Sequence, residues 1–217
     1  IQEKPEGLAQ AFLIGESFID NNPSALILGD NLYHGNDLTP QLIKANNNEY
    51  GATIFVYPVS DPQRYGVAEF DNNKRVINLE EKPSDPKSRY AVTGIYFYDG
   101  SAPSKAKKIK PSPRGELEIT SLNNLYLKEN NLFVEIMGRG MAWLDTGTFD
   151  SLHQAGSYIR LLERRQGLKV GCPEEVAWRN KWINNKDLTK LAENMIKSGY
   201  GKYLLDIQKD PLNKNLN

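Results

Sequence analysis

The fold class follows from one short stretch of sequence, SALILGDN at residues 24–31. A continuous apolar run that stops at a Gly-Asp turn is typical of a strand buried on both faces of a sheet. The segments on either side, Leu8 to Ile19 and Asp37 to Ala45, carry apolar side chains at near-helical spacing. A buried strand between two helices predicts an α/β sheet protein.

Strands and helices alternate through the first two-thirds of the chain. The pattern predicts a helix at residues 116–128, a β-hairpin that joins 67–70 to 75–79, and strands at 52–57, 90–98, 132–137 and 141–144. From residue 148 onward the pattern predicts helices and no strands, at 148–167, 174–183, 186–197 and from Lys202 onward. We therefore expect an α/β domain at residues 1–147, with a Rossmann-like, mixed and mostly parallel sheet flanked by helices, and a helical C-terminal extension at 148–217 packed on it.

The composition excludes several classes of protein. The chain has 217 residues, with 27 basic and 27 acidic side chains and a formal net charge of zero. That balance argues against a general nucleic-acid binder, which needs a strongly basic face, although a local patch remains possible. The longest apolar runs, such as residues 25–28, are far too short to cross a bilayer. We expect neither a nucleic acid nor a membrane as partner.

Cysteine and histidine are scarce. One cysteine, Cys172, cannot form a disulfide within the chain and suits a reducing compartment, so we expect a cytoplasmic protein. The two histidines, His34 and His153, are too few to build a Cys/His zinc cluster with it.

Two acidic residues stand where predicted strands end, Asp30 after residues 24–28 and Asp145 after residues 141–144. Ligands of open α/β sheets bind beyond the carboxyl ends of the strands. Two carboxylates from separate strand ends can share one Mg²⁺, an ion that prefers oxygen ligands. Taken singly, Asp30 could be a turn residue and Asp145 a helix N-cap beside Thr146. The presence of both favours a shared metal site.

Further charged residues stand at the end of the predicted hairpin and before the helix at 116–128. Glu81 and Lys82 lie directly before Pro83, which cannot continue a strand. Lysine could bind a phosphate as a point charge while glutamate accepts from a sugar hydroxyl, although a solvated strand end is the alternative. Arg114 could contact an anion or be an ordinary surface arginine. Gly66, after Tyr65, offers a backbone amide to a sugar.

Eight motifs in a fixed order carry a resemblance to a known family. They are GLAQA at residues 7–11, LGDN at 28–31, DPQRYGV at 61–67, EEKP at 80–83, YAVTG at 90–94, RGELEIT at 114–120, WLDTG at 143–147 and RQGLK at 165–169. Together they resemble the sugar nucleotidyltransferase family, in its glucose-1-phosphate thymidylyltransferase branch, over essentially the whole chain. The segments QGLK at 166–169 and CPEE at 172–175 favour this branch over the longer uridylyl- and adenylyltransferases.

The resemblance implies a reaction without a covalent enzyme intermediate. Glucose 1-phosphate attacks the α-phosphorus of dTTP, and the products are pyrophosphate and dTDP-glucose, a precursor of dTDP-L-rhamnose and polysaccharide. By motif, Asp30 and Asp145 hold Mg²⁺, and Lys82 and Arg114 are the catalytic cations on the sugar phosphate. The implied substrate-binding residues are Gln2 and Gly7 for the thymidine, Gly66, Glu81 and Val92 for the glucose, Lys82 for the sugar phosphate, Asn31 as a further substrate contact, and Tyr65 and Trp143 as walls. Core packing would explain the two wall residues almost as well.

The resemblance also implies assembly and regulation. Members of the family are typically homotetramers with a second sugar-nucleotide site, where dTDP-rhamnose inhibits. Gly35, Gly138, Glu174 and Arg179 match that region. The alternative is that Trp178 and Trp182, four residues apart, only pack their helix onto its own domain.

One family motif has no counterpart in this sequence. The family's Gly-rich triphosphate loop, Gly-Gly-x-Gly-Thr-Arg-Leu, is absent, and the nearest string is GRG at residues 138–140. We therefore expect an incomplete enzyme that is inactive alone and has an unpaired strand edge. Two alternatives stay open: a non-catalytic sugar-nucleotide-binding module, and a nucleotidyltransferase for another base or sugar.

Overall fold

The structure, a computed structural model, describes residues 1–209. The chain forms two compact units, Ile1–Gly156 and a second one from Ser157 onward. The predicted domain limits at residues 147 and 148 stay a prediction.

The first unit alternates helices and strands. In chain order they are α1 (Gln10–Ile14), α2 (Glu16–Ile19), β1 (Ser24–Ile27), β2 (Asn31–His34), α3 (Leu38–Asn46), β3 (Ala52–Pro58), β4 (Gly66–Phe70), β5 (Val76–Glu81), β6 (Tyr90–Tyr98), α4 (Ala102–Ala106), α5 (Ile119–Lys128), β7 (Leu132–Ile136) and β8 (Ala142–Asp145). A short 3₁₀ turn, Pro62–Arg64, precedes β4. Helix α6 (Phe149–Gln166) continues into the second unit, which contains α7 (Pro173–Arg179), α8 (Asn185–Asn194), a 3₁₀ turn (Ile196–Ser198) and α9 (Tyr200–Lys209).

The main sheet has the strand order β5-β4-β6-β3-β7, and β1 also pairs with β6. The α/β class with helices and a mixed sheet is confirmed. The strand directions differ from the expected, mostly parallel arrangement, because parallel pairing among residues 1–209 is confined to β3 and β7. The tight connection of β4 to β5 forces an antiparallel pair. Parallel strands need a long connection, and the chain between β3 and β7 runs through β4, β5, β6, α4 and α5.

Strand β1 corrects one prediction. It pairs with β6 alone in the described part of the chain, and its residues alternate between half-buried and exposed, with Ile27 60% exposed. The prediction of burial on both faces is therefore wrong for β1, which lies at an edge. It is right for β3, whose residues 52–56 are all buried between two neighbouring strands. The expected unpaired strand edge is found on β1.

Two hydrophobic clusters cover the two faces of the main sheet. Successive residues of β3 alternate between them, so that Ile54 packs with α1, α4 and α5 while Phe55 packs toward α3. In β6, Tyr96 packs in the same cluster as Ile54, and Ile95 packs in the same cluster as Phe55. The sheet is thus flanked by helices on both faces, as predicted.

Helix α5 begins later than the sequence pattern indicates. The backbone of Leu117 donates to Glu6 O (2.8 Å) and accepts from Ala9 N (3.1 Å), and Glu118 is still extended. Residues 114–118 therefore remain a loop that the N-terminal segment holds in place. The helix predicted at 8–19 is likewise divided, because it breaks at Gly15.

The second unit is helical, as predicted. Leu188, Ala192, Leu204 and Ile207 are buried in its core with Cys172. Trp178 packs against this core, but Trp182 is 74% exposed, so packing accounts for only one of the two tryptophans. Within residues 1–209 no helix has both the length and the apolar character to cross a membrane.

Candidate active site

An open cavity of about 270 Å³ gathers most of the predicted site residues in the first unit. It lies where β2, β5 and β8 end or begin. Its lining includes every residue predicted for the metal, the sugar and the sugar phosphate: Asp30, Asn31, Tyr65, Gly66, Glu81, Lys82, Val92, Arg114, Trp143 and Asp145. The assignment of roles to these residues stays a prediction, but the structure brings them together.

The two strand-end acids meet through a small antiparallel ribbon. Strand β2 pairs with β8 so that Asn31 lies opposite Asp145. Thr146 fixes the end of the ribbon, because its backbone N–H (2.9 Å) and its hydroxyl (2.7 Å) both donate to the carbonyl of Asp30. Asp30 and Asp145 are thus neighbours in space although they are far apart in the chain.

Asp30 is oriented by a neutral amide. The Asn31 Nδ2 donates to Asp30 Oδ1 at 2.8 Å, and the indole N–H of Trp143 donates to Asn31 Oδ1 at 2.6 Å. Gly94 leaves space for this amide, since a Cβ there would lie 2.8 Å from Asn31 Cγ and Oδ1. Because the indole can only donate, it fixes which end of the Asn31 amide faces the Asp30 carboxylate.

Asp145 is engaged by a positive charge. The Arg64 guanidinium lies 3.4 Å from Asp145 Oδ2 and 3.0 Å from Asp61 Oδ2. The other oxygen, Asp145 Oδ1, accepts from the backbone N–H of Gly147 at 3.2 Å. Asp145 therefore combines a local turn contact with a position on the cavity wall.

Glu81 is held at the end of β5. The Thr120 hydroxyl donates to its Oε2, and Arg114 lies 3.8 Å from its Oε1. Burial raises the pKa of Glu81, and the Thr120 hydrogen bond opposes that shift. A side chain at Gly66 would crowd this pair, because a Cβ there would be 3.0 Å from Thr120 Oγ1 and 3.2 Å from Glu81 Oε2.

Lys82 occupies an unusual backbone conformation. Its φ is +45°, in the left-handed region that non-glycine residues seldom adopt, and its N–H donates to Tyr65 O at 3.0 Å. The turn ends β5 and places Lys82 on the cavity wall beside Glu81. Among the six non-glycine residues with a positive φ in residues 1–209, only Lys82 lines the cavity.

Arg114 is surrounded by acids. Its guanidinium lies 3.0 Å from Glu116 and 3.8 Å from both Glu81 and Glu118. The ion-paired hydrogen bond to Glu116 is the main reason that the pKa of Arg114 is raised. The late start of α5 leaves Glu116 and Glu118 in the loop, where they hold Arg114 at the cavity.

The charges that line the cavity leave a negative excess. Five carboxylates face three basic side chains there: Asp30, Glu81, Glu116, Glu118 and Asp145 against Arg64, Lys82 and Arg114. The surplus of two negative charges fits a divalent cation. Among residues 1–209 no group of three or more His, Cys, Asp or Glu side chains could hold a metal ion. A cation at Asp30 and Asp145 would therefore need further ligands from a substrate or water, as is usual for Mg²⁺.

The predicted nucleoside residues lie in a neighbouring groove. Gln2 and Gly7 line it together with Leu8, which also lines the main cavity. Gly7 has a φ of +104° and packs directly on the backbone of Leu117, so a side chain there would clash. The Gln2 amide donates to Gly7 O at 3.2 Å and to Gln10.

The predicted regulatory residues fall in both units. Gly35 follows β2 with a φ of +151° and packs against Met141, while Gly138 follows β7. In the second unit, Glu174 accepts from the Tyr200 hydroxyl at 2.6 Å, and Arg179 lies 2.7 Å from Glu175.

Sequence reasoning assigned no role to Arg64 or Thr120, although both lie within the quoted motifs DPQRYGV and RGELEIT. Their contacts with Asp145 and Glu81 span 81 and 39 positions of sequence, so no local pattern reveals them.

Comparisons with known proteins identify the family. The nucleotidyl transferase family model matches residues 1–160. The chain is 54% identical over 209 residues to a glucose-1-phosphate thymidylyltransferase of Xanthomonas campestris pv. campestris strain B100. The aligned residues cover 96% of this chain and 71% of that protein. It is 51% identical over 209 residues to the enzyme of that name from Neisseria meningitidis, with 96% of this chain and 73% of the relative covered.

Solved structures agree with this. A Bacillus anthracis protein assigned as a glucose-1-phosphate thymidylyltransferase, in complex with sucrose, superposes with a TM-score of 0.66 at 45% identity, over 73% of this chain and 63% of that one. A UDP-glucose pyrophosphorylase complexed with UDP-glucose shares the fold, with a TM-score of 0.64 at 23% identity over 73% of this chain and 64% of that one. The chain spans about 71% of the length of the first curated relatives and 63% of the first solved chain. By motif order, family model and identity, this chain belongs to the nucleotidyl transferase family, among the glucose-1-phosphate thymidylyltransferases.

Proposed function

We propose that this chain supplies the sugar-phosphate and metal part of an active site that transfers a thymidylyl group from dTTP to glucose 1-phosphate, with release of pyrophosphate and formation of dTDP-glucose. The observation that carries the proposal is one cavity that combines two carboxylates for a cation with Lys82 and Arg114 for a phosphate. The name of the relatives at 51–54% identity supports the choice of base and sugar.

The metal is proposed to be Mg²⁺, held by Asp30 and Asp145. Their hard carboxylate oxygens and the negative excess of the cavity suit it. When bound, Mg²⁺ neutralises phosphate charge that would otherwise repel the incoming sugar phosphate. The hydrogen bond from the Asn31 amide favours one orientation of the exposed Asp30 carboxylate.

The proposed chemistry depends on positioning and charge. Lys82 and Arg114 bind the phosphate of glucose 1-phosphate and aim one of its oxygens at the α-phosphorus of dTTP. Fixed positive charge also stabilises the charge that develops in the transition state. Arg114 can exchange its half-buried partner Glu116 for the substrate phosphate, since a charge-assisted contact to phosphate is at least as strong.

Recognition of the glucose is proposed to come from Glu81, Gly66 and Val92. Glu81 accepts from a sugar hydroxyl while Thr120 holds its other oxygen. Val92, 8% exposed, and the backbone of Gly66 give the sugar a close apolar and amide surface. Gln2 and Gly7 are proposed to contact the thymidine in the adjoining groove.

Assembly and regulation are proposed on the family resemblance alone. We expect a cytoplasmic homotetramer in which Gly35, Gly138, Glu174 and Arg179 contribute to a second site for dTDP-rhamnose. Because the printed sequence has no Gly-rich triphosphate motif, we expect residues 1–217 to bind the sugar phosphate without forming dTDP-glucose.

Calorimetric titration of glucose 1-phosphate, with Mg²⁺ present, tests the proposal. We expect Lys82→Met to weaken binding by about tenfold, the size of one lost charge-assisted contact to phosphate. Lys74→Met is a matched control, because Lys74 also has a left-handed backbone, with a φ of +62°, but lies in the hairpin turn away from the cavity. Equal effects of the two substitutions, or binding of glucose 6-phosphate as tight as that of glucose 1-phosphate, would contradict the proposal.

A further inference from the structure

Arg64 has a position that the proposed reaction does not explain. It ends the 3₁₀ turn before β4, its side chain is 40% exposed, and its guanidinium lies 5.2 Å from the centre of the Tyr65 ring. One guanidinium nitrogen is 3.0 Å from Asp61 and the other is 3.4 Å from Asp145. The arginine thus bridges an acid outside the cavity and an acid on its wall.

The two acids proposed to hold the cation differ in their partners. Asp30 accepts from the neutral amide of Asn31, so its charge is not compensated by that contact. Asp145 has both oxygens engaged, Oδ1 by the backbone N–H of Gly147 and Oδ2 by the Arg64 guanidinium. Each carboxylate oxygen keeps a second lone pair, so a cation can bind Asp145, but it then lies close to the Arg64 guanidinium and the two positive charges repel each other.

We propose that Arg64 is a displaceable counter-ion of Asp145, which neutralises this carboxylate until a divalent cation binds and releases the guanidinium. The proposal rests on the metal site suggested above. Asp61 lowers the free-energy cost of this release, because it stays hydrogen-bonded to one guanidinium nitrogen while the other leaves Asp145. The freed N–H donors remain on the wall of the cavity that Lys82 also lines, where they can meet a phosphate.

This arrangement couples cation binding to substrate binding. A cation alone has to compete with Arg64 for Asp145, whereas a cation that arrives with phosphate gives the released guanidinium a new partner. Partly exposed ion pairs are weak, so the competition should weaken the affinity for the bare cation by about two- to fivefold.

The test uses Mn²⁺ as the probe and residues 1–217 as the protein, with free Mn²⁺ measured by electron paramagnetic resonance. Arg64→Gln should bind Mn²⁺ about two- to fivefold more tightly than the wild type, and Arg64→Met should do the same. The gain should disappear when Asp145→Asn is added. Arg75→Gln, an exposed arginine outside the cavity, controls for net charge, and Arg114→Gln controls for charge inside the cavity without contact to Asp145.

The outcomes separate this proposal from the metal site beneath it. Mn²⁺ binding that is lost in Asp145→Asn but is unchanged or weaker in Arg64→Gln would overturn the counter-ion and leave the metal site standing. A gain in Arg114→Gln as large as that in Arg64→Gln would overturn it too, because charge alone would then suffice. Binding that is unaffected by Asp30→Asn and Asp145→Asn, or no binding in any variant, would overturn both the counter-ion and the metal site.

Discussion

Replacing Asn31 with alanine tests whether its amide holds the cavity together. The indole N–H of Trp143, a side chain only 8% exposed, donates to Asn31 Oδ1 at 2.6 Å and would lose this acceptor. A buried donor left without a partner costs about 1–3 kcal/mol of folding free energy. We therefore expect Asn31→Ala to lower the free energy of unfolding by about 2 kcal/mol.

Trp143→Phe removes the same hydrogen bond by deleting its donor. It keeps a ring against Tyr65, whose centroid is 5.0 Å away, and it removes the donor instead of the acceptor. Because the Tyr33 hydroxyl also lies 3.5 Å from Asn31 Oδ1, that oxygen keeps a partner. In the double variant no indole N–H is stranded, so its cost should be smaller than the sum of the single costs by about 1 kcal/mol.

Urea unfolding followed by circular dichroism gives the free energy of unfolding of the wild type, the two single variants and the double variant. Mn²⁺ affinity measured on the same samples reports on Asp30. Asn31→Ala should weaken Mn²⁺ binding, because Asp30 loses the amide that orients it. Strictly additive unfolding free energies, or a cost for Asn31→Ala within about 0.5 kcal/mol of zero, would refute the argument that this amide is structurally fixed.

The remaining predictions concern Glu81 and β1. Burial raises the pKa of Glu81 above its ordinary value of 4.5, so the folded state binds more protons than the unfolded state just above pH 4.5, and stability falls as the pH rises through that window. Glu81→Gln should therefore unfold at higher urea than the wild type at pH 7 but not at pH 4, while glucose 1-phosphate binding weakens; a pH-independent difference would contradict this. Ile27, exposed on the free edge of β1, should promote association, so Ile27→Lys should reduce the aggregated fraction in light scattering. An equal reduction from Ile43→Lys, at an exposed position of helix α3 outside the sheet, would show that added charge alone is responsible.

The convergence of Asp30 and Asp145 was accessible from sequence because both acids follow short strands, and strand ends are where α/β proteins bind ligands. The strand that brings them together was not. Residues 31–34 of β2 are too few and too polar to show a strand period, and their pairing partner β8 lies more than a hundred positions away. Motif order predicted residues that line one cavity, while only the fold shows how they are brought together.

The loop at residues 114–118 shows a second limit of local patterns. Its sequence continues smoothly into α5, and apolar spacing predicts a helix from Glu116. Two backbone hydrogen bonds, from Leu117 N–H to Glu6 O and from Ala9 N–H to Leu117 O, override that tendency, and they require Gly7 to approach without a side chain. Propensity is a weak prior when tertiary contacts supply the hydrogen bonds instead.

Two features at the end of β5 lower the stability of the folded protein. Glu81 is partly desolvated, and Lys82, the next residue, has a left-handed backbone that costs a non-glycine side chain about 1–2 kcal/mol. Neither feature stabilises the protein by itself. The buried side chains of Ala68 and Leu79, in the paired strands β4 and β5, offset this cost by anchoring the turn. The paired strands thus hold Glu81 and Lys82 together on the cavity wall, where the proposed function needs both charges.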